Sequence, residues 1–375
     1  MNSWKLENLG QVLDYIQPTK YLVESTDYDS SYETPVLTAG KSFLLGRTNE
    51  TNGIFSNPPV IIFDDFTTSF HYVDFNFKVK SSALKILKAK NKDVNIKYIY
   101  YAMSTLRFTP VLHKRYWIST YCKFQIPLPP LPIQERIAAI LDAADTLRQK
   151  DQALLKKYDE LSQSLFFDMF GDILSNDRTF PTEPLGNICD ELFLGLTSTV
   201  DYVEQGGYPL IRATDIRGGK LSFENVKYIS EQQHKKITAR RITRKGDVLV
   251  SKSGTLGTCA IVQTDTEFTT YESIFTIRLK PNKATNIFLM HLIRNDRFQK
   301  RLLGEKVGVA VSHLNLKMFR EFKIPVPPME IQNRFTKKVQ LIDEQKERVM
   351  SICTKSQELF QSLLRRAFKG ELIKD

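Results

Sequence analysis

Six full positive charges lie within the twelve residues from His234 to Lys245. They belong to Lys235, Lys236, Arg240, Arg241, Arg244 and Lys245. Residues 251–257 (SKSGTLG), rich in hydroxyl groups and glycine, follow a strand-like segment shortly afterwards. Residues 37–42 (LTAGKS) and 113–117 (HKRYW) are the comparable segments of the first half. Cations and hydroxyls bind phosphate oxygens, and glycine lets the backbone approach closely, so these segments predict a phosphate-rich ligand.

Residues arranged for catalysis are not expected. Residues 57–60 (NPPV) lack the aromatic side chain and the nearby Gly-rich loop that an amino-methyltransferase motif needs. Residues 40–42 end like a phosphate-binding loop, but Pro35 stands where its first glycine is required. Asp64 and Asp65 could hold a metal in a nuclease, yet no acidic residue and lysine follow at nuclease-like spacing. The five histidines form no HExxH pair, and we predict neither a catalytic centre nor a metal site.

Length and charge point to two domains with a polyanionic partner. A chain of 375 residues is long enough for two domains at roughly 150 residues each. The formal net charge is +11. By segment it is +4 for residues 1–125, −4 for 126–183, +8 for 184–323 and +3 for 324–375. An acidic segment therefore separates two basic blocks, and we expect phosphate binding in the basic ones.

The compartment is inferred from cysteines and apolar runs. The four cysteines are far apart and form no CxxC pair, so neither a disulfide framework nor a zinc site of usual spacing is expected. Residues 1–16 lack the apolar core of a signal peptide, and no apolar run approaches the roughly 18 residues of a membrane helix. We predict a soluble, cytoplasmic protein.

Two segments of the chain repeat each other at an offset of 198 residues. Residues 126–136 (IPLPPLPIQER) recur as residues 324–334 (IPVPPMEIQNR), and the match continues without insertion or deletion for over forty residues. Each copy opens with prolines that cannot lie inside a helix, and Pro132 suits a first helical turn. The chain is therefore duplicated, with a variable block before each repeated one.

The repeated blocks are predicted to be helices of nearly 40 residues. From Ile133 to Leu165, positions in alternating steps of four and three are apolar except at Asp151, a spacing typical of a coiled-coil seam. The second copy has a weaker stripe of the same kind, interrupted at Lys338, Gln345 and Ser356.

The variable blocks are predicted to be mixed α+β structures. Strand-like segments lie at residues 35–37, 60–63, 72–79, 208–211, 247–251, 259–263 and 273–279. Helices are predicted at residues 95–103, after a cap at Ser230, and at residues 286–295.

Together these features resemble the specificity subunit of Type I restriction–modification enzymes over essentially the whole chain. The repeated blocks, with their Pro-rich entries and Ile-Gln-x-Arg helix starts, carry the resemblance most strongly. Residues 208–212 (YPLIR) and 246–254 (GDVLVSKSG) add to it. The first block, with residues 60–66 (VIIFDDF), is similar to a different subfamily of recognition domain. Two unlike recognition domains imply two unlike half-sites.

The resemblance implies an α+β fold in which two pseudo-repeated recognition domains are separated by two long antiparallel coiled-coil helices. The expected domains are residues 1–125 and 176–323, and the expected spacer helices are residues 126–175 and 324–375. Such a subunit is a non-catalytic DNA-recognition chain that binds a bipartite site. Its expected partners are double-stranded DNA, two methyltransferase subunits and one or two restriction subunits. It binds no cofactor itself, because S-adenosylmethionine, ATP and Mg belong to the partners.

On this interpretation particular residues are assigned to each surface. The predicted DNA contacts are Thr38, Lys41, Asp64, Asp65, Thr67, His113, Lys114, Arg115, Arg212, Asp215, Lys235, Lys236, Arg240, Arg241, Arg244, Lys245, Lys252 and Ser253. The predicted subunit-interface residues are Ile133, Ile137, Leu147, Leu154, Leu161, Ile331, Phe335, Ile342, Leu359 and Leu363.

Three other interpretations stay open at this point. The chain could be the specificity chain of another bipartite restriction system, whose partner combines cleavage and methylation. It could be an enzyme with an unrecognised nuclease site, which a cleavage assay with magnesium would detect. It could also be a coiled-coil scaffold that does not touch DNA, although the basic blocks argue against this.

Overall fold

The computed structural model describes residues 4–40, 42–252, 257–303 and 315–373. The chain divides into two compact units. Unit 1 comprises Met1–Ala153 with Met350–Asp375, and unit 2 comprises Leu154–Val349. Each unit therefore combines one variable block with a part of both repeated segments.

Unit 1 is a mixed α/β structure. Its elements are β1 (Leu6–Asn8), α1 (Leu9–Val12), β2 (Leu13–Ile16), β3 (Thr34–Leu37), β4 (Leu44–Thr48), β5 (Val60–Asp64), β6 (Phe70–Val73), β7 (Lys78–Val79), β8 (Leu84–Ala89), α2 (Ile96–Met103), β9 (Gln125–Pro127) and the first part of the long helix α3 (Leu131–Phe170). An antiparallel sheet has the order β2-β8-β5-β6. A second sheet has the order β4-β3-β7, with β3 and β7 parallel, and β1 pairs with β9.

The central strand β5 is covered on both faces, which explains its uninterrupted apolar sequence. Ile61 and Phe63 belong to one buried cluster, and Val60 and Ile62 belong to another. Successive side chains of a strand point to opposite faces, and β-branched and aromatic residues suit such a buried position. The sheet of unit 1 therefore has a core on each side.

The predictions for this block are confirmed with one exception. Helix α2 begins where expected, and the Asn95 side chain caps it by accepting a hydrogen bond from the Tyr98 N–H at 2.9 Å. The single strand predicted over residues 72–79 is wrong, because β6 ends at Val73 and β7 begins at Lys78. Residues 74–76 between them are all exposed, which breaks the alternation that a half-buried strand requires.

Unit 2 is also mixed α/β. Its elements after α3 are β10 (Thr182–Pro184), α4 (Leu185–Ile188), β11 (Cys189–Leu194), β12 (Tyr202–Val203), β13 (Tyr208–Ile211), β14 (Ile216–Arg217), β15 (Lys220–Leu221), β16 (Lys227–Ile229), α5 (Glu231–Thr238), β17 (Val248–Ser251), β18 (Cys259–Ile261), β19 (Thr269–Thr270), β20 (Ile274–Leu279), α6 (Asn286–Arg294), α7 (Asp296–Leu303), α8 (Leu316–Glu321), β21 (Lys323–Pro325) and the first part of the long helix α9 (Met329–Phe368). The sheets have the orders β11-β20-β17-β18 and β12-β16-β13-β19, and the pairs β14-β15 and β10-β21 complete them. The predicted strands and helices of this block are all present.

The long helices have the predicted length. Each contains 40 residues, which corresponds to about 60 Å. In unit 2, Asp159 of α3 forms an ion pair with Lys346 of α9, and Phe166 packs edge-on against Phe335 at 5.5 Å. A later residue of α3 thus meets an earlier residue of α9, so the two helices run antiparallel there.

The predicted apolar stripe of α3 is correct at only some positions. Ile137 and Ala144 are buried, but Leu147, Leu154 and Leu161 are 46%, 40% and 49% exposed. The inner row instead contains Leu141, Arg148, Ser162 and Phe166. Its polar members have partners, since Arg148 donates to Gln357 and to Asp145, and the Ser162 hydroxyl donates to the Tyr158 carbonyl. The prediction from hydrophobicity alone therefore assigned several buried positions of α3 to the wrong row of side chains.

The duplication extends beyond the repeated helices into both variable blocks. In unit 1, β1 pairs antiparallel with β9, and the Leu9 N–H donates to the Phe124 carbonyl at 2.9 Å. In unit 2, β10 pairs antiparallel with β21, and the Leu185 N–H donates to the Phe322 carbonyl at 2.8 Å. We call each strand pair, with the helix start that follows its second strand, a joint.

Candidate nucleic-acid interface

An exposed loop in unit 1 carries several of the predicted contacts. Its five successive exposed residues are Val111, Leu112, His113, Lys114 and Arg115. The next two side chains, Tyr116 and Trp117, are buried and anchor the loop. The cations thus project from a fixed base, although the exposed apolar residues before them were not predicted.

The turn between β5 and β6 lies beside this loop. The Asp64 carboxylate holds the turn by accepting hydrogen bonds from the N–H groups of Phe66 (2.9 Å) and Thr67 (2.7 Å). The ring of His113 stacks on Phe66 with centroids 4.5 Å apart. Asp64, Thr67, His113, Lys114 and Arg115 are therefore brought together, with Asp64 as the organising group.

Asp65 does not belong to this surface. Its carboxylate is buried, accepts the Trp117 N–H at 2.7 Å and lies 3.4 Å from the buried Lys85 ammonium group. Its carbonyl accepts the Tyr116 N–H at 2.8 Å. The prediction that Asp65 contacts DNA is therefore corrected, because the residue fixes the base of the loop from inside the core.

Thr38, another predicted contact, lies in the segment between β3 and β4. The Thr38 N–H donates to the Phe43 carbonyl at 2.8 Å, and the Thr38 hydroxyl accepts from the Gly40 N–H at 3.3 Å. His71 lies with Nε2 2.9 Å from the Gly40 carbonyl, which ties this turn to β6. Lys41 lies outside the described residues. A contact of Thr38 with DNA stays a prediction.

In unit 2 the basic helix α5 is anchored by a buried histidine. Ser230 caps the helix by accepting from the Gln233 N–H at 3.3 Å. The His234 ring stacks on Tyr208 with centroids 3.8 Å apart, and its Nδ1 lies 2.8 Å from the Thr269 hydroxyl. Burial lowers the pKa of His234 despite the opposing effect of Glu267. The buried histidine thus anchors the helix, while Lys235 and Lys236 on the same helix are exposed.

The basic loop after α5 is held by an ion pair beneath it. The buried Asp247 carboxylate accepts from the Arg244 N–H and from the Arg278 guanidinium, both at 2.8 Å. Arg278 also donates to the Ile242 carbonyl at 2.8 Å. Burial raises the pKa of Asp247, although Arg278 acts in the opposite direction. Arg240, Arg241, Arg244 and Lys245 are exposed on the loop, and Lys245 pairs with Asp265 at 2.9 Å.

A cavity of about 500 Å³ opens beside this loop and α5. Its lining includes Lys236, Arg240, Arg241, Thr243, Phe193 and Phe268. The Arg241 guanidinium lies 5.8 Å from the centre of the Phe193 ring. Cations, hydroxyls and aromatic rings in one concave surface suit a nucleic-acid backbone with an attached base or sugar.

The remaining predicted contacts of unit 2 differ in accessibility. Asp215 is buried and accepts from the Arg212 N–H at 2.9 Å and from its guanidinium at 3.1 Å. The prediction that Asp215 contacts DNA is corrected, because its carboxylate positions Arg212 instead. Lys252 is partly buried, and its N–H donates to the Ser273 carbonyl at 2.8 Å. Ser253 lies outside the described residues.

The described part of the chain offers no metal-ligating cluster, and two of its four cysteines are buried. No group of three or more His, Cys, Asp or Glu side chains there could hold a metal ion. Burial raises the pKa of the Cys189 and Cys259 thiols to about 12, so neither forms a thiolate nucleophile near neutral pH. None of the described helices is long and apolar enough to cross a membrane.

The predicted subunit-interface residues fall into three groups by their exposure. Ile137 and Phe335 are fully buried within their own units, and Ile133, Ile331, Ile342 and Leu363 are partly buried. The exposed ones are Leu147, Leu154, Leu161 and Leu359. Three exposed leucines at seven-residue spacing form one row on α3, which we call the outer leucine row. The fully buried Ile137 and Phe335 are not accessible to another protein, and a subunit interface at the other positions stays a prediction.

A buried glutamine in each joint was missed, although the repeated Ile-Gln pair was a signal for it. In unit 1, the Gln134 Oε1 accepts from the N–H of Asn95, the residue that caps α2, at 2.9 Å. Its Nε2 donates to the carbonyls of Asp93 (3.0 Å) and Pro129 (2.8 Å). One side chain thus ties helix α2 and the preceding loop to the start of α3.

Gln332 makes the same three bonds in unit 2. Its Oε1 accepts from the N–H of Thr285, the residue that caps α6, at 2.9 Å. Its Nε2 donates to the carbonyls of Lys283 (3.2 Å) and Pro327 (2.7 Å). The buried glutamine therefore makes equivalent bonds in the two joints.

Comparison with known proteins agrees with this architecture. Residues 1–157 and 192–349 match the model of the Type I restriction modification DNA specificity domain. The chain is 34% identical over 358 residues to the Type I restriction enzyme EcoR124I/EcoR124II specificity subunit of Escherichia coli, covering 90% of this chain and 85% of that protein. The S subunit of a Type-I restriction-modification system from M. genitalium has a similar fold, with a TM-score of 0.60, 16% identity and coverage of 98% and 97% of the two chains. A chain from a structural study of complex assembly in the type I R-M system matches with a TM-score of 0.50, 16% identity and 99% coverage of both chains.

Proposed function

This chain belongs to the family of Type I restriction–modification specificity subunits, which recognise DNA sequence, and from that premise we propose that it reads a bipartite, asymmetric site. One half-site is assigned to unit 1 and the other to unit 2. The recognition domains are residues 1–125 and 176–323, and residues 126–175 and 324–375 form the helices that serve both.

The observation that carries this proposal is the combination of equivalent joints with unlike surfaces. The two glutamines and the strand pairs around them are equivalent. The surface of unit 1 is a loop with an apolar tip and three basic residues, whereas that of unit 2 is a basic helix and loop beside a cavity. Two unlike surfaces on one shared construction favour two different half-sites.

In this proposal the chain has no catalytic activity of its own. No metal cluster occurs among the described residues, and the buried thiols are protonated near neutral pH. S-adenosylmethionine, ATP and Mg would be bound by the partner subunits, which carry out methylation and restriction. The complex would act on DNA in the cytoplasm.

We assign the docking of two methyltransferase subunits to the long helices, together with one or two restriction subunits. The support is the outer leucine row of α3, which stays exposed in a segment of negative net charge. Exposed leucines at regular spacing are costly in water and are typical of a surface that another protein covers.

The test is to map methylated adenine across the genome of the source strain with and without this gene. We expect a single bipartite motif to lose methylation when the gene is deleted. The purified chain alone, supplied with S-adenosylmethionine, ATP and Mg, should neither methylate nor cleave DNA. An unchanged methylation map in the deletion strain, or methylation by the chain alone, would contradict the proposal.

A further inference from the structure

We propose that Val111 and Leu112 form an apolar wedge that enters bound DNA between two adjacent base pairs in the half-site of unit 1. The proposal rests on the DNA-recognition function proposed above. It adds a contact in which base stacking is opened by apolar side chains, in addition to hydrogen bonds to base edges.

The first argument is the unusual exposure of the two side chains. Val111 is 88% exposed and Leu112 is 63% exposed, and they are neighbours at the tip of one loop. Removing apolar side chains from water is favourable, so covering this tip contributes to the affinity of a ligand. Base pairs unstacked at one step offer an apolar slot of the right width for aliphatic side chains.

The second argument is that the tip is held in place. The Tyr116 hydroxyl lies 2.8 Å from both the N–H and the carbonyl of Leu112, accepting from one and donating to the other. The Tyr116 ring packs edge-on against Phe108 at 5.2 Å. A loop fixed before binding loses little conformational entropy when it inserts, which a wedge requires.

The third argument is the charge next to the tip. The cations Lys114 and Arg115 lie two and three residues after Leu112, and both are exposed. Cations beside an apolar tip would bind the phosphates that flank the opened step, as in proteins that wedge and kink DNA. The same charges argue against a purely apolar protein partner as the occupant.

The experiment uses the complex of the full chain with its methyltransferase subunits. The probes are duplexes of the mapped site, each with 2-aminopurine at one position, because this base fluoresces more strongly when it is unstacked. The test variant combines Val111→Ser with Leu112→Ser. A second variant combines Val111→Ile with Leu112→Met and keeps the tip apolar. Leu6→Ser, at another exposed leucine of unit 1, is the matched control.

We expect the serine variant to lose the fluorescence increase at one step. It should also bind the site about tenfold or more weakly, because removing serine side chains from water contributes little to affinity. Its salt dependence should be unchanged, because the cations that bind phosphates are all retained. The Ile/Met variant and the Leu6 control should behave as wild type. Thermal unfolding of all variants should agree, since the substituted side chains are exposed.

Two results would overturn the wedge. One is the same 2-aminopurine fluorescence in wild type and the serine variant at every probe position. The other is loss of methyltransferase binding in the serine variant, with DNA unstacking retained, which would make the tip a protein-docking surface. If the wild-type complex bound DNA without sequence preference, the proposed function itself would fail and the wedge with it.

Discussion

Units 1 and 2 share their joints and differ in their exposed surfaces. In each unit the first strand pairs with the strand before the Pro-rich segment, and a buried glutamine bonds to the N–H of a helix-capping residue. The capping residues, Asn95 and Thr285, differ in type but play the same role. The joint is the part of each unit that both copies retain.

The surfaces are anchored in different ways. In unit 1 the exposed loop is anchored by the buried Asp65, whose carboxylate and carbonyl hold the backbone of Tyr116 and Trp117. In unit 2 the basic helix and loop are anchored by His234 and by the pair of Asp247 with Arg278. A protein built this way can change what each unit binds without changing how the unit is attached to its helices.

The largest expected effect comes from breaking a joint. Gln332→Leu leaves one N–H and two carbonyl groups without their partner, and each such group costs about 1–3 kcal/mol. The free energy of unfolding of unit 2 should therefore fall by at least about 3 kcal/mol. Hydrogen exchange of the full chain should show reduced protection in α6 for this variant, and in α2 for Gln134→Leu.

Matched controls are available in the same helices. Gln163 and Gln361 are also repeated at the offset of 198 residues, but both are exposed. Gln163→Leu and Gln361→Leu should leave exchange in α2 and α6 unchanged. Equal effects of the buried and exposed substitutions would show that the joints do not hold the units as described.

A smaller effect is expected from the basic loop of unit 2. Replacing Arg240, Arg241, Arg244 and Lys245 by Ala should weaken binding to all DNA sequences. The slope of log affinity against log salt concentration should decrease by about 0.9 for each phosphate that is no longer neutralised. Lys156→Ala, an exposed lysine of α3, should leave the slope unchanged. A selective loss of affinity at one base position with an unchanged slope would mean that these residues read bases.

The stability of the two units should depend differently on pH. His291 of α6 and Tyr101 of α2 occupy equivalent positions, each six residues after the residue that caps its helix. Burial, with Arg294 and Lys346 nearby, lowers the pKa of His291 from 6.5 to about 4, whereas burial raises the pKa of Tyr101. The unfolded chain takes up the histidine proton near pH 6.5 and the folded chain only near pH 4. This group therefore lowers the stability of unit 2 as the pH falls through that window, by about 3 kcal/mol at most.

The measurement is urea unfolding between pH 4 and pH 7, followed by hydrogen exchange in α2 and α6. His291→Phe should flatten the pH dependence of α6 protection relative to wild type and leave that of α2 unchanged. A parallel pH dependence in wild type and variant would refute the assignment.

The smallest effect is expected from an ion pair on the surface of unit 2. Lys220 and Glu347 lie 2.7 Å apart, but both side chains are largely exposed. A double-mutant cycle with Lys220→Ala and Glu347→Ala should give a coupling energy below about 1 kcal/mol. A coupling energy clearly above about 1 kcal/mol would contradict the expectation that this exposed pair contributes little to stability.

Much of the structure of this protein could be predicted from its sequence. The repeat at an offset of 198 residues, the two basic blocks, the nearly 40-residue helices, the helix start at Asn95 and the cap at Ser230 could all be recognised from the sequence. The helices and the cap depend on residues a few positions apart, because helical periodicity and capping are short-range effects. The exposed cations Lys114 and Arg115 were recognised for the same reason, since charged side chains without a buried partner stay in water.

Only the tertiary structure decided which polar groups face inward. Asp65 and Asp215 had the sequence context of ligand-binding residues, but each is buried against backbone N–H groups. The inner row of α3 contains Arg148 and Ser162, while the outer leucine row is exposed. The joints pair strands more than a hundred residues apart, such as β1 with β9. Burial depends on partners that are distant in the chain, so a side chain's type and its near neighbours do not specify it.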